Sequence, residues 1–99
     1  MLSSFGIGMA LMEETRRDPP SGRITNPNHV EYLVPVNADV PDIDVILIDE
    51  QDRMTNPAGV KGFGETPMVG VAAAIANAVW HATGIRVRSL PITIEKLIA

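Results

Sequence analysis

Gly59-Val60-Lys61-Gly62-Phe63-Gly64-Glu65-Thr66-Pro67 runs directly into Met68-Val69-Gly70-Val71-Ala72-Ala73-Ala74-Ile75-Ala76-Asn77-Ala78-Val79-Trp80. The second part is the longest apolar segment of the chain and predicts its main helix. Thr66 is a good N-cap residue, and Pro67 suits the first helical position, where a missing N–H is no loss. Gly84 fits the residue just past the helix end. The segment is apolar nearly all round as far as Asn77 and His81, the pattern of a helix buried on every side. A chain of 99 residues has little left to bury it with.

The first part is a glycine loop followed at once by a carboxylate. Gly59, Gly62 and Gly64 allow a sharply turning backbone and close approach by a neighbouring group. Loop, Glu65 and helix start fall together, and free amides at a helix start favour an anion. The pattern is not a phosphate loop, because no Lys-Ser/Thr follows the last glycine. Nor does it have the glycine order of the dinucleotide fingerprint. Taken by itself it reads equally as a tight loop carrying a solvated glutamate.

Upstream, Asn56-Pro57-Ala58 feeds this loop from a polar stretch, 50–56. Before it, Ile43-Asp44-Val45-Ile46-Leu47-Ile48 is the best strand pattern of the chain, ending apolar on both faces as in a covered sheet. Val30 to Val36 predicts a second strand, placed near a sheet edge or break by Pro35. Asp18-Pro19-Pro20-Ser21-Gly22, Asn26-Pro27-Asn28 and Asp39-Val40-Pro41-Asp42 are turns. At the start, Leu2, Phe5, Met9 and Met12 share a helical face, with Glu13 to Arg17 as its wet end. Gly6 and Gly8 each cost such a helix about 1 kcal/mol, so close packing is expected to need their small size. Downstream, Arg86-Val87-Arg88 predicts a short extended segment, its two arginines either solvated or holding a partner carboxylate. Thr93 to Leu97 predicts one closing helical turn.

The expectation is one α+β domain over residues 1–99, with two main helices and a few strands of a mixed sheet. Net charge is −4 and no basic cluster occurs, which argues against nucleic acid as partner. The chain has no cysteine, and hence no disulfide, thiol chemistry or iron–sulfur ligation of its own. His29 and His81 lie far apart and form no metal-ligand spacing. No signal peptide is recognised, and the Pro67 to Thr83 segment falls short of the ~20 residues of a membrane span. The abrupt helical start suggests a chain that begins inside a larger structure.

Several runs together resemble one family. They are Gly6-Ile7-Gly8-Met9-Ala10-Leu11-Met12-Glu13-Glu14, Tyr32-x-x-Pro35, Ala38-Asp39-Val40-Pro41, Lys61-Gly62-Phe63-Gly64-Glu65, Ala73 to Val79, Thr83 to Arg88 and Leu90-Pro91-Ile92-Thr93. In order and spacing they resemble the C-terminal region of the molybdenum-binding subunit of the xanthine dehydrogenase and aldehyde oxidase family. The branch most resembled is that of bacterial aldehyde dehydrogenases using molybdopterin cytosine dinucleotide.

The resemblance implies that Glu65 is the general base, deprotonating a molybdenum-bound hydroxyl whose oxygen attacks an aldehyde or aromatic heterocycle while hydride passes to a sulfido ligand. It implies that Lys61, Gly62, Phe63 and Gly64 line the dinucleotide cofactor, mainly through their backbone. Electrons would leave through 2Fe-2S clusters and FAD on partner subunits. The remainder of the large subunit is the other implied partner, and the isolated chain is expected to be inactive. The cytoplasm is the expected compartment, with the periplasm reached through a partner's signal as the alternative. Some branches carry glutamine before the first G-x-G; Phe5 stands there in this chain, so that contact is not implied. The competing reading is a non-catalytic module that completes or binds a partner subunit.

Overall fold

A computed structural model describes residues 2–62 and 64–98. Three α-helices are present among them: α1 (Leu2–Leu11), α2 (Val71–Thr83) and α3 (Glu95–Ile98). Short 3-10 turns occur at Asn37–Asp39 and Thr66–Met68. α1 packs against α2 and against the turn that precedes it.

The two glycines of α1 explain how that packing is possible. A methyl group at Gly6 would sit 2.6 Å from the Cβ and Cγ1 of Val71, the first residue of α2. At Gly8 it would lie 2.7 Å from Cδ of Pro35 and collide with the Glu13 carboxylate. Close packing, the expected reason for both glycines, is thus what the structure contains. Ala10, fully buried, sits near the end of α1, and its carbonyl accepts the Ile92 amide at 2.7 Å. Ile92 is the other buried apolar side chain among the described residues, so the C-terminal segment is tied to the first helix at the centre of a small core.

The chain leaving α1 doubles back in a short hairpin. Arg17 and Ile24 form an isolated antiparallel bridge, and the Thr25 amide donates to the Arg16 carbonyl at 2.9 Å. Asn26 braces it from inside: its Oδ1 accepts the Arg16 amide at 2.9 Å and its Nδ2 donates to the Glu14 carbonyl at 2.6 Å. Both ends of this buried amide are satisfied, as burial of a polar group requires.

The start of α2 departs from the sequence expectation. Residues Thr66–Met68 form a 3-10 turn, with Pro67 in its first positions, and Glu65 rather than Thr66 stands at the cap. The Met68 amide donates to the Glu65 carbonyl at 3.0 Å and the Val69 amide to Thr66 at 3.4 Å, bonds of the tighter i→i−3 type. The α-helix begins after Gly70, a residue that resists helix propagation by about 1 kcal/mol relative to alanine. Its end is as expected: Gly84 adopts φ 74° and its amide donates to the Trp80 carbonyl. The closing helical turn is present as α3, displaced slightly from 93–97.

The mixed sheet is a second correction. Among the described residues there is no β-strand; 30–36, 43–48 and 86–88 all lie outside regular structure. A strand exists only through a ladder with a neighbour, and these segments find none within the chain. Residues 40–50 run without helix, turn or bend, and Ile46 and Ile48 are each 87% exposed. The apolar two-faced pattern is real, but its covering layers are absent.

The same deficit shows globally. The chain exposes 8172 Å², against about 5,500 Å² for a compact protein of this mass. Its radius of gyration is 17.5 Å, against about 13 Å for a compact domain of 100 residues. Val69 and Trp80, at the two ends of the apolar helical stretch, are largely or half exposed, so this stretch is not buried on all sides.

A third correction concerns Glu13, expected at a solvated helix end. It is half-buried under Gly8 and accepts the Tyr32 hydroxyl at 3.2 Å.

Candidate active site at the glycine loop

Polar side chains that grip their own backbone build the approach to the loop. Oδ1 of Asp52 accepts the amides of Met54 and Thr55 at 3.0 and 3.2 Å, and the Thr55 hydroxyl donates to its other oxygen. These bonds, the Thr55 hydroxyl's above all, hold the Asp52 carboxyl below its ordinary pKa. Asn56 then closes a ring with Val60, donating to its carbonyl and accepting its amide at 3.2 Å. Between them Gly59 turns at φ 70°, in the left-handed region that favours glycine. The sequence Asn-Pro-Ala-Gly thus becomes a self-supporting turn that delivers the chain to Lys61.

Lys61 is partly exposed and its Nζ pairs with Oε1 of Glu50 at 2.9 Å. Exposed pairs of this kind contribute little to stability, about 0–1 kcal/mol, so Lys61 remains available to another anion. Gly62 and Gly64 are exposed, and nothing lies within 4 Å of where a side chain would start at either. Among the described residues, the amides of Lys61, Gly62, Gly64 and Glu65 have no hydrogen-bond acceptor. The Glu65 carboxylate is exposed and likewise unengaged there. Phe63, the remaining residue expected to line a cofactor, lies outside the described residues.

Lys61, Gly62, Gly64 and Glu65 therefore form a continuous open ledge of amide donors, one cation and one carboxylate. The following 3-10 turn carries the ledge to α1 and α2. Such a ledge can receive an anionic group along its backbone and present a base beside it. It holds no metal-binding cluster: no three of His, Cys, Asp and Glu gather at one place among the described residues.

Other polar features lie elsewhere and escaped the sequence reading. Glu13 and Tyr32 face a cavity of about 400 Å³ lined by Ser4, Phe5, His29, Val34 and Pro35 together with Glu13. Partial burial, then the Glu13 charge and hydrogen bond, push the Tyr32 hydroxyl above its ordinary pKa. Arg86 neither points free nor holds a carboxylate. It stacks over the Trp80 ring at 4.4 Å and donates to Asn77 Oδ1 at 2.7 Å, clamping the exit of α2. Its spacing from Asn77 and Trp80 spans the Gly84 turn, so no helical periodicity betrays it.

Comparison with known proteins places these features in context. No family model matches the chain. It is 50% identical over 95 residues, 96% of its length, to the aldehyde oxidoreductase molybdenum-binding subunit of Escherichia coli K12. It is 41% identical over 93 residues to the putative xanthine dehydrogenase molybdenum-binding subunit of the same organism. It covers 13% and 12% of those two proteins, about an eighth of each. Among solved structures, quinoline 2-oxidoreductase from Pseudomonas putida 86 superposes with a TM-score of 0.85 over 98% of this chain and 12% of that one, at 30% identity.

Proposed function

Since the chain belongs, over a small part of their length, to the molybdenum-binding subunits of the xanthine dehydrogenase and aldehyde oxidoreductase family, we propose that it works as one segment of a molybdenum hydroxylase and supplies Glu65 as its general base. The observation that carries this is the half-identity running across nearly all of the chain, glycine ledge included.

The ledge suits a large anionic cofactor. Open space at Gly62 and Gly64, unengaged amides and a weakly held Lys61 offer backbone donors and a positive charge. With no cluster of metal-ligating side chains among the described residues, the metal would be carried by the cofactor rather than gripped by this chain. Lys61, Gly62, Phe63 and Gly64 are the proposed binding residues, and molybdopterin cytosine dinucleotide is the proposed cofactor. When bound, it supplies the two-electron acceptor that hydroxylation of an aldehyde or aromatic heterocycle requires.

The role of Glu65 is to take a proton. Adding a water-derived oxygen to the substrate carbon releases one, and a carboxylate within hydrogen-bond reach removes it in the same step. The cap position fixes the backbone of Glu65 through the Met68 amide while leaving its carboxylate unengaged. Partner subunits carrying 2Fe-2S clusters and FAD are the proposed electron exit. The remainder of the large subunit supplies the rest of the pocket.

The test is Glu65→Gln in the assembled enzyme. It keeps shape and hydrogen-bonding atoms but cannot accept the proton, and turnover should fall by about 10²–10⁴-fold at unchanged molybdenum and pterin content. Glu14→Gln, which removes an exposed pair with Arg16, serves as the control and should leave turnover unchanged. Full activity of the Glu65 variant would remove the base assignment and leave the non-catalytic module.

A further inference from the structure

The segment 43–48 has no job in the chain as it stands. Among the described residues, none of its amides or carbonyls takes part in a hydrogen bond. Val45, Ile46, Leu47 and Ile48 are 69%, 87%, 72% and 87% exposed. Four of its six residues are β-branched, which favours a pleated conformation. In that conformation Val45 and Leu47 point to one face, Ile46 and Ile48 to the other. Both faces are therefore apolar, the mark of a strand covered on each side rather than a surface strand.

We infer that residues 43–48 are a docking strand, which enters a β-sheet of the remainder of the molybdenum-binding subunit by strand addition and is covered there on both faces. This rests on the reading of the chain as one segment of that subunit. The relatives carry about eight times as much chain, enough to supply neighbouring strands and two covering layers. The area in question is ample. Exposure beyond that of a compact protein of this mass is roughly 2,700 Å², several times the ~800 Å² that each partner buries in a standard interface.

Charge decides against a second copy of this chain. Antiparallel self-pairing centred on 43–48 sets Asp42 opposite Asp49, and parallel in-register pairing stacks Asp44 beside Asp44. Like charges directly opposite each other destabilise a ladder. The occupant that fits is a pair of strand edges, apolar along the centre, with basic groups meeting Asp42, Asp44 and Asp49 at the margins.

The experiment replaces the matching 95 residues of the Escherichia coli aldehyde oxidoreductase subunit by this chain and measures amide exchange of 43–48 in the assembled, molybdenum-containing protein and in the 99-residue chain alone. Exchange should be at least about 10³-fold slower in the assembly, as for core strands, and near the unprotected rate in the free chain. Ile46→Lys should lower the yield of assembled protein at least about tenfold, since it buries a charge with no partner. Assembly with 43–48 still exchanging rapidly overturns the docking strand and leaves the proposed function standing. Failure to assemble at all, with the unsubstituted chain, sinks both. Protection that appears in the free chain and grows with its concentration assigns the strand to self-association and also overturns the inference.

Discussion

Replacing Gly6 by alanine pits a local gain against a tertiary clash, and the structure says which is larger. In a helix interior, alanine is favoured over glycine by about 1 kcal/mol. The new methyl, however, would lie 2.6 Å from both Cβ and Cγ1 of Val71, about 0.8 Å closer than ordinary contact. Val71 Cβ is fixed to the backbone, so no rotamer change removes the overlap and α1 must move away from α2. Overpacking of this kind costs about 1–3 kcal/mol before any loss of neighbouring contacts. The net expectation is a loss of about 1–2 kcal/mol, or a 5–30-fold increase in local opening. Amide exchange of α1 and α2 reads that opening without requiring a two-state transition. Adding Val71→Gly removes the atoms in the way, so the double variant should be better than the sum of the singles by at least about 1 kcal/mol. Unchanged or slower exchange in Gly6→Ala, or strict additivity with Val71→Gly, would refute the close-packing account.

Tyr32 is the sole tyrosine, so its ultraviolet ionisation is unambiguous. Its midpoint should lie above 10, and Glu13→Gln should lower it, though burial keeps part of the rise. Because the folded pKa is the higher one, this contribution to stability is complete below about pH 10 and is lost as pH rises through the folded value. Asn26→Ala leaves the Arg16 amide and the Glu14 carbonyl without their partner, so the 16–25 hairpin should lose about 1–3 kcal/mol of local stability, seen as faster exchange at Thr25 and Asp18. The isolated chain should bind an apolar dye and self-associate through its uncovered surface; a monomer with one cooperative unfolding transition and no dye binding would contradict the exposed areas found here.

Much of the chain was legible in the sequence because the deciding interactions are local. The Gly84 stop, the helical faces of α1 and α2 and the turns at 18–22 and 26–28 follow from neighbours within a few residues, and the structure contains them. Gly6 and Gly8 announced close packing by their cost alone. What they pack against, Val71 and Pro35, is a matter of tertiary position. The glycine ledge and Glu65 were also visible as a motif, because a backbone site needs only contiguous residues.

The errors lie where structure depends on distant partners. The 43–48 pattern reports correctly that both faces want covering. Whether a strand forms is decided by hydrogen bonds to another segment, and this chain provides none. The start of α2 shifted from Pro67 to Val71 because i→i−3 bonds and Gly70 hold that turn in a tighter form against α1. Glu13 left the wet face because Gly8 opens room beneath it and Tyr32, 19 residues on, donates to it. Periodicity fixes which side of an element is apolar; only the folded chain, and the larger subunit beyond it, decides what lies against that side, because burial and ladder bonds join residues that the sequence keeps apart.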